Sequence, residues 1–336
     1  MARQDRLFAD VDRGFTSLEE GEIEEAEKAL ERCSRIDRHN PDVVALAAAV
    51  ADAKGEVDTA LAKYTELAEL RPDDPMPKVC LARIQLHDVG DADTALETIE
   101  KAFDFIDEED DLVEAIVVRT EALLAVDDAE GARESLAELS TSVIEDPQLA
   151  LDLGELALAA EDTSGALKWV DLAKKDDATK ADAYHLLGRI HEAREERAEM
   201  IAAWQEVLKL DAKALPGPVT MSEDELERIA TETLHELPDD VRKKLEAVPI
   251  LIDDLPSEDL INDGLDPRLL GVFNGPAMPD VGSSPAVTNI MLFKKNLERI
   301  AHDLDELAEE VRITVLHETA HYFGLDEDDL EKLGLD

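Results

Sequence analysis

The sequence predicts an α-solenoid of helix hairpins followed by a small α+β domain. Three observations carry that prediction. A unit with a period near 34 residues recurs through the first two thirds of the chain. The stretch Leu215-Pro216-Gly217-Pro218 then breaks the helical pattern. Beyond it, short β-branched runs alternate with helix signals instead of repeating. Composition agrees with a helix-rich first part. Aromatic residues make up only 4% of the chain, so alanine and leucine fill the apolar positions, which favours close-packed helices.

The repeat is read by aligning GEIEEAEKAL from Gly21, GEVDTALAKY from Gly55 and GDADTALETI from Gly90. It continues in DDAEGARESL from Asp127, EDTSGALKWV from Glu161 and EERAEMIAAW from Glu195. The intervals are 34, 35, 37, 34 and 34 residues. A small residue falls five places on, at Ala26, Ala60, Ala95, Ala132 and Ala166, with Met200 in the last copy. Larger residues follow at Leu30, Tyr64, Ile99 and Trp204, and proline recurs between copies at Pro41, Pro75 and Pro147. Each unit is a helix hairpin that cannot bury its apolar face alone, so stacking closes the core and leaves a concave face. Glycine ends the first helix in three copies and is replaced by an acid in the last three. This pattern resembles the tetratricopeptide repeat. The resemblance implies that the groove binds a protein or peptide segment; a spacer or dimerisation surface is the plainer alternative.

The repeat domain is expected to span residues 1–212, with a linker at 213–221, since Pro216 and Pro218 around Gly217 cannot continue a helix. A second domain is expected at 222–336. Ser222 with Glu225 three residues on reads as a capping box opening a helix. LPDDVRKKLEA reads as a short helix. Val248–Asp254 reads as a buried strand, Arg268–Gly275 as a second and Val287–Lys294 as a third. The stretch from Asn296 to Phe323 reads as one or two helices, the second beginning near Asp303.

That last helix carries His317-Glu318-Thr319-Ala320-His321. Positions i and i+4 share a helix face, so both imidazoles reach one ion. Glu318 lies beside them, placed to act as a base on water rather than to ligate. Val311, Ile313, Val315 and Leu316 are expected to form the apolar face. Gly324 stands where a helix can end and turn, and Glu327 follows three residues on, giving HExxHxxGxxE. A carboxylate is an acceptable third zinc ligand, and Asp326 and Asp328 compete with Glu327 for that place.

The blocks SEDELERIATETLHELPDDVRKKLEAVPILIDD, LLGVFNG, TNIMLFKKNLERI and EEVRITVLHETAHYFGLDEDDLEKLG resemble, in order and spacing, the small bacterial zincin-like metallopeptidase family. The resemblance implies a compact zincin fold and a zinc site. It implies His317, His321 and a carboxylate just after Gly324 as ligands, with Glu318 catalytic. An extended substrate is expected to pair with a sheet edge, for which Val287–Phe293 is the candidate.

The formal charge of −48, from 82 acidic and 34 basic residues, argues against nucleic acid and anionic membranes as partners. No apolar stretch approaches a membrane span, and MARQDRLFADVD lacks the apolar core of a secretory signal. Two cysteines, Cys33 and Cys80, read as buried free thiols, and the chain is expected to be cytoplasmic. His185, His191, His235 and His302 read as ordinary helix residues, and Tyr322 as a core aromatic. The expected function is a zinc-dependent peptidase whose repeats recruit protein substrate. The alternative is a non-catalytic protein-binding adaptor with a structural zincin-like domain. A metal-independent assembly factor is a weaker third reading. Glu318 favours the enzyme, because a purely structural metal site has no use for a base beside its ligands.

Overall fold

The computed structural model describes residues 2–141, 144–237, 248–275 and 289–323, together with 239, 242 and 245. The chain divides into two compact units, Met1–Thr179 and Lys180–Asp336.

The first unit is built of five hairpins. They are α1 (Ala2–Glu19) with α2 (Ile23–Asp37), α3 (Pro41–Ala53) with α4 (Val57–Leu70), α5 (Met76–His87) with α6 (Ala92–Phe103), α7 (Glu109–Ala125) with α8 (Ala129–Ala137), and α9 (Pro147–Ala159) with α10 (Thr163–Ala173). The repeated alanines are the reason the two helices of a hairpin approach closely. Ala26, Ala60, Ala95, Ala132 and Ala166 are all buried, where a larger side chain would force the helices apart. Proline opens α3 and α9 at a position whose N–H has no intrahelical partner to lose.

The turn inside each hairpin explains the sequence departure seen in the later copies. Gly21, Gly55 and Gly90 have φ of 75°, 67° and 75°. Asp127, Glu161 and Glu195 hold the same place with φ of 60°, 58° and 59°. All six are left-handed, so the backbone is retained where the glycine is not. The turn is closed by backbone bonds that any residue supplies: Glu56 N donates to Ala51 O at 2.8 Å and Gly55 N to Asp52 O at 2.8 Å, as Asp162 N does to Ala157 O at 2.8 Å and Glu161 N to Leu158 O at 2.9 Å. Asp128 and Asp162 then cap the second helix by accepting from Gly131 N and Gly165 N, each at 2.9 Å.

The two cysteines are free thiols, but only Cys33 is fully buried; Cys80 is half-buried, a partial correction to the expectation. Burial nevertheless pushes the Cys80 thiol up to about 11. Among the described residues, no helix is long and apolar enough to cross a membrane.

The second unit begins with a sixth hairpin, α11 (Lys180–Ala193) and α12 (Arg197–Asp211). The last repeat therefore shares a compact unit with the region that follows it. After the proline-rich stretch comes α13 (Glu223–Glu236), whose N-cap Ser222 accepts from Glu225 N at 3.3 Å. Then follow β1 (Ile250–Asp253), α14 (Glu258–Asn262), β2 (Gly271–Asn274), β3 (Asn289–Phe293), α15 (Lys294–Ile300) and α16 (Leu304–Tyr322). The expected helix at LPDDVRKKLEA lies largely outside the described residues.

The three strands form one sheet in the order β1-β3-β2, with β1 parallel and β2 antiparallel to β3. Two expectations are corrected here. β3, read as the edge, is the central strand, flanked by β1 at Ile250↔Ile290 and by β2 at Gly271↔Leu292. Val287 itself lies outside the described residues. The strand read as buried, β1, is not: it alternates half-buried and exposed positions, with Leu251 exposed. The buried run belongs to β3, where Ile290, Leu292 and Phe293 are fully enclosed. Ile290 and Leu292 pack, with Leu226, Ile229 and Leu297, against the stripe Leu307, Val311 and Val315 of α16.

Candidate metal and catalytic site

The site stands on α16. Asp303 caps the helix, its Oδ1 accepting from Asp305 N and Glu306 N at 2.9 Å each. Glu306 reaches back to the His302 N–H at 2.5 Å. These bonds fix where the helix starts, and the buried stripe fixes its rotation. Of the residues expected to supply that stripe, Val311 and Val315 do so; Ile313 and Leu316 are half-buried and Leu307 takes the remaining place. The stripe continues into Thr314, Glu318 and Thr319, all buried. Glu318 is thus carried into the core side of the helix, and His317 and His321 flank it where they are half-buried.

The two imidazoles converge. Nε2 of His321 lies 3.0 Å from Nε2 of His317, and the rings meet edge-on with centroids 4.7 Å apart and planes at 77°. A tetrahedral zinc with two nitrogen ligands holds them about 3.3 Å apart, from bonds of about 2.0–2.1 Å. The separation and the donor atoms therefore fit such an ion with little movement. Glu327, Asp326, Asp328 and Gly324 lie outside the described residues, so the third ligand is not described. Among the described residues, no cluster of three or more metal-ligating side chains is present. The side chain of Tyr322 is likewise outside the description.

Glu318 is only 7% exposed. A buried carboxylate needs donors, and Oε2 receives the backbone N–H of Phe273 in β2 at 2.6 Å. That contact depends on a residue type the motif does not contain. A Cβ on Gly271 would stand 2.7 Å from Thr314 Cγ2, 3.0 Å from the Met291 carbonyl and 3.3 Å from Glu318 Cγ. Glycine at 271 lets β2 lie directly against α16. The block LLGVFNG held this information, but only the packing shows why its first glycine is there.

The remaining histidines divide. His191 pairs with Glu196 at 2.7 Å within its own hairpin. His185, half-buried, places Nε2 2.9 and 2.8 Å from the two oxygens of Asp266. Burial works to raise the Asp266 carboxyl, but His185 and the N–H and charge of Arg268 outweigh it and hold it below the usual carboxylate range. Two histidines read as ordinary helix residues therefore hydrogen-bond to carboxylates, and residue type alone gave no signal of it.

Comparisons with known proteins place both parts. Residues 245–335 match the family model described as zincin-like metallopeptidase. No curated protein matches the chain. Among solved structures, the crystal structure of PilW, a widely conserved type IV pilus biogenesis factor, superposes with a TM-score of 0.52 at 11% identity, covering 62% of this chain and 94% of that one. PilF of Pseudomonas aeruginosa gives 0.49 at 18% identity, covering 64% and 96%. A thermophilic tetratricopeptide-repeat protein in Thermus thermophilus gives 0.43 at 18% identity, covering 57% and 98%. With the six left-handed hairpin turns and the buried alanines already described, the chain has a tetratricopeptide-like array of helix hairpins followed by a zincin-like region, residues 245–335, that is similar to the metallopeptidase family of that name.

Proposed function

We propose that the chain is a zinc-dependent peptidase that binds its protein substrates through the repeat array. The observation that carries this reading is the convergence of the His317 and His321 Nε2 atoms at 3.0 Å beside a buried Glu318. His317, His321 and a carboxylate beyond Gly324, Glu327 by its spacing, would hold the ion. Zinc supplies Lewis-acid polarisation of a peptide carbonyl and a lowered pKa for water.

The chain's own residues do the rest. Glu318 takes a proton from the attacking water and returns it to the leaving amine nitrogen. The Phe273 N–H engages Oε2 of Glu318 and so holds the carboxylate in place. The stripe Leu307, Val311 and Val315 holds the helix against the sheet, so the imidazoles are oriented before substrate arrives. With β3 central, the edge strand beside Glu318 among the described residues is β2, and we assign an extended substrate to that edge as an added strand. The repeat array raises the local concentration of a protein segment held in its groove. The chain's charge of −48 favours basic segments and disfavours nucleic acid and anionic membranes. Two free thiols support a reducing, cytoplasmic setting.

The test is cleavage of unfolded protein by the zinc-loaded full chain and by Glu318→Gln. The variant should keep its zinc and lose cleavage by about 10²- to 10⁴-fold, the usual weight of a positioned base. Equal cleavage by both proteins would remove the enzyme and leave the adaptor.

A further inference from the structure

The chain segment leading into β2 is gripped by the last repeat hairpin. Asp266 is held by His185 of α11, as described above. Two residues on, Arg268 sends Nη1 to Asp182 of α11 at 2.6 Å and Nε to Asp211, the last residue of α12, at 3.3 Å. Asp211 is 4% exposed and also receives Nη2 of Arg299 from α15 at 2.6 Å. Asn296 of α15 closes the grip, its Nδ2 donating to Pro267 O at 2.9 Å and Leu269 O at 2.7 Å. Nearby, Ile261 of α14 is fully buried against Met200, Trp204 and Val207 of the same hairpin.

A hairpin that only ended a binding array would face solvent or a partner with this surface. Here it commits a buried carboxylate to two guanidinium groups, an arrangement that is costly to break once one partner is removed. The segment it fixes, residues 266–270, runs straight into Gly271 and Phe273, the two positions that seat Glu318. We propose that the sixth hairpin is a positioning element of the candidate site: through Asp211, Asp182 and His185 it sets the strand whose Phe273 N–H holds Glu318. Asp211 and Arg268 are then positioning residues, remote from the reacting atoms. The inference rests on the reading of Glu318 as the general base.

Hydrogen exchange on the metal-free full chain tests it, with wild type, Asp211→Asn, Arg268→Gln, Arg268→Lys and Glu196→Gln compared. Glu196 pairs with His191 inside the hairpin and serves as the control. In Asp211→Asn and Arg268→Gln, exchange of the β2 amides should quicken by about tenfold or more while α13 keeps its protection, a local opening rather than a global one. Arg268→Lys should recover part of the protection, and Glu196→Gln should change nothing in β2. In the zinc-loaded proteins the same two variants should lose about tenfold in kcat at unchanged KM, as a small displacement of a catalytic group does. Unchanged β2 exchange in both variants, or α13 loosening in step with β2, would overturn the proposal. A wild type that cleaves nothing would instead sink the peptidase reading, while the exchange data would still decide whether the hairpin sets β2.

Discussion

Glycine serves opposite purposes at the hairpin turns of the array and at the candidate site. In the repeat array, Gly21, Gly55 and Gly90 take positive φ, and a Cβ added to any of them would meet nothing within 4 Å. What those turns need is a conformation, and Asp127, Glu161 and Glu195 supply it at some strain. At Gly271 the need is space: an added Cβ would press on Thr314, the Met291 carbonyl and Glu318. The array is built from a local rule that tolerates substitution copy by copy. The site is built from contacts between residues far apart in sequence, and one atom decides whether they close.

The comparison can be broken by exchanging the two demands. The largest effect is expected at the site. Gly271→Ala should cost about 1–3 kcal/mol in denaturant unfolding, the range for overpacking a tight contact. A cost near zero would mean that β2 does not lie on α16 as described. In the array, Gly55→Ala should cost about 1 kcal/mol, from left-handed strain partly offset by a stiffer unfolded chain. Glu161→Gly should act in the opposite sense, raising stability by up to about 1 kcal/mol. If both array variants shifted the midpoint the same way, the shared left-handed turn would be disproved.

The smallest effect concerns Asp266. Its carboxyl is held below its ordinary range, so the unfolded chain binds the proton more readily than the folded one. The stabilisation is complete above the unfolded value, about 3.9, and is lost as pH falls through the lower folded value. Asp266→Asn should therefore unfold more easily than wild type at neutral pH, and the two unfolding midpoints should converge in acid. A constant gap at every pH would assign the loss to packing instead of charge.

Much of the array was legible because its information is periodic. Ala26, Ala60 and Ala95 announce close helix contact at each recurrence, and the helices appear where that spacing puts them. The left-handed turns at Asp127, Glu161 and Glu195 were hidden, because an acid does not advertise positive φ as glycine does. In the second unit the helix of the HExxH motif and all three strands were readable from local pattern. Their order was not, since β3 differs from β1 only in which neighbours pair with it. The grip of Asp211 on Arg268 was invisible for the same reason: two ordinary charged residues, well separated along the second unit, acquire meaning only when folding brings them together. Of the candidate site, His317, Glu318 and His321 were named by spacing, whereas Gly271 and the Phe273 N–H required the packing of β2 on α16.

The central claim is that His317 and His321 hold a zinc ion beside Glu318, and zinc content measures it most directly. After loading and exhaustive dialysis, the wild-type full chain and Glu318→Gln should each retain one equivalent of zinc, while His317→Ala and His321→Ala should retain almost none. Zinc bound equally by wild type and His321→Ala would contradict the account.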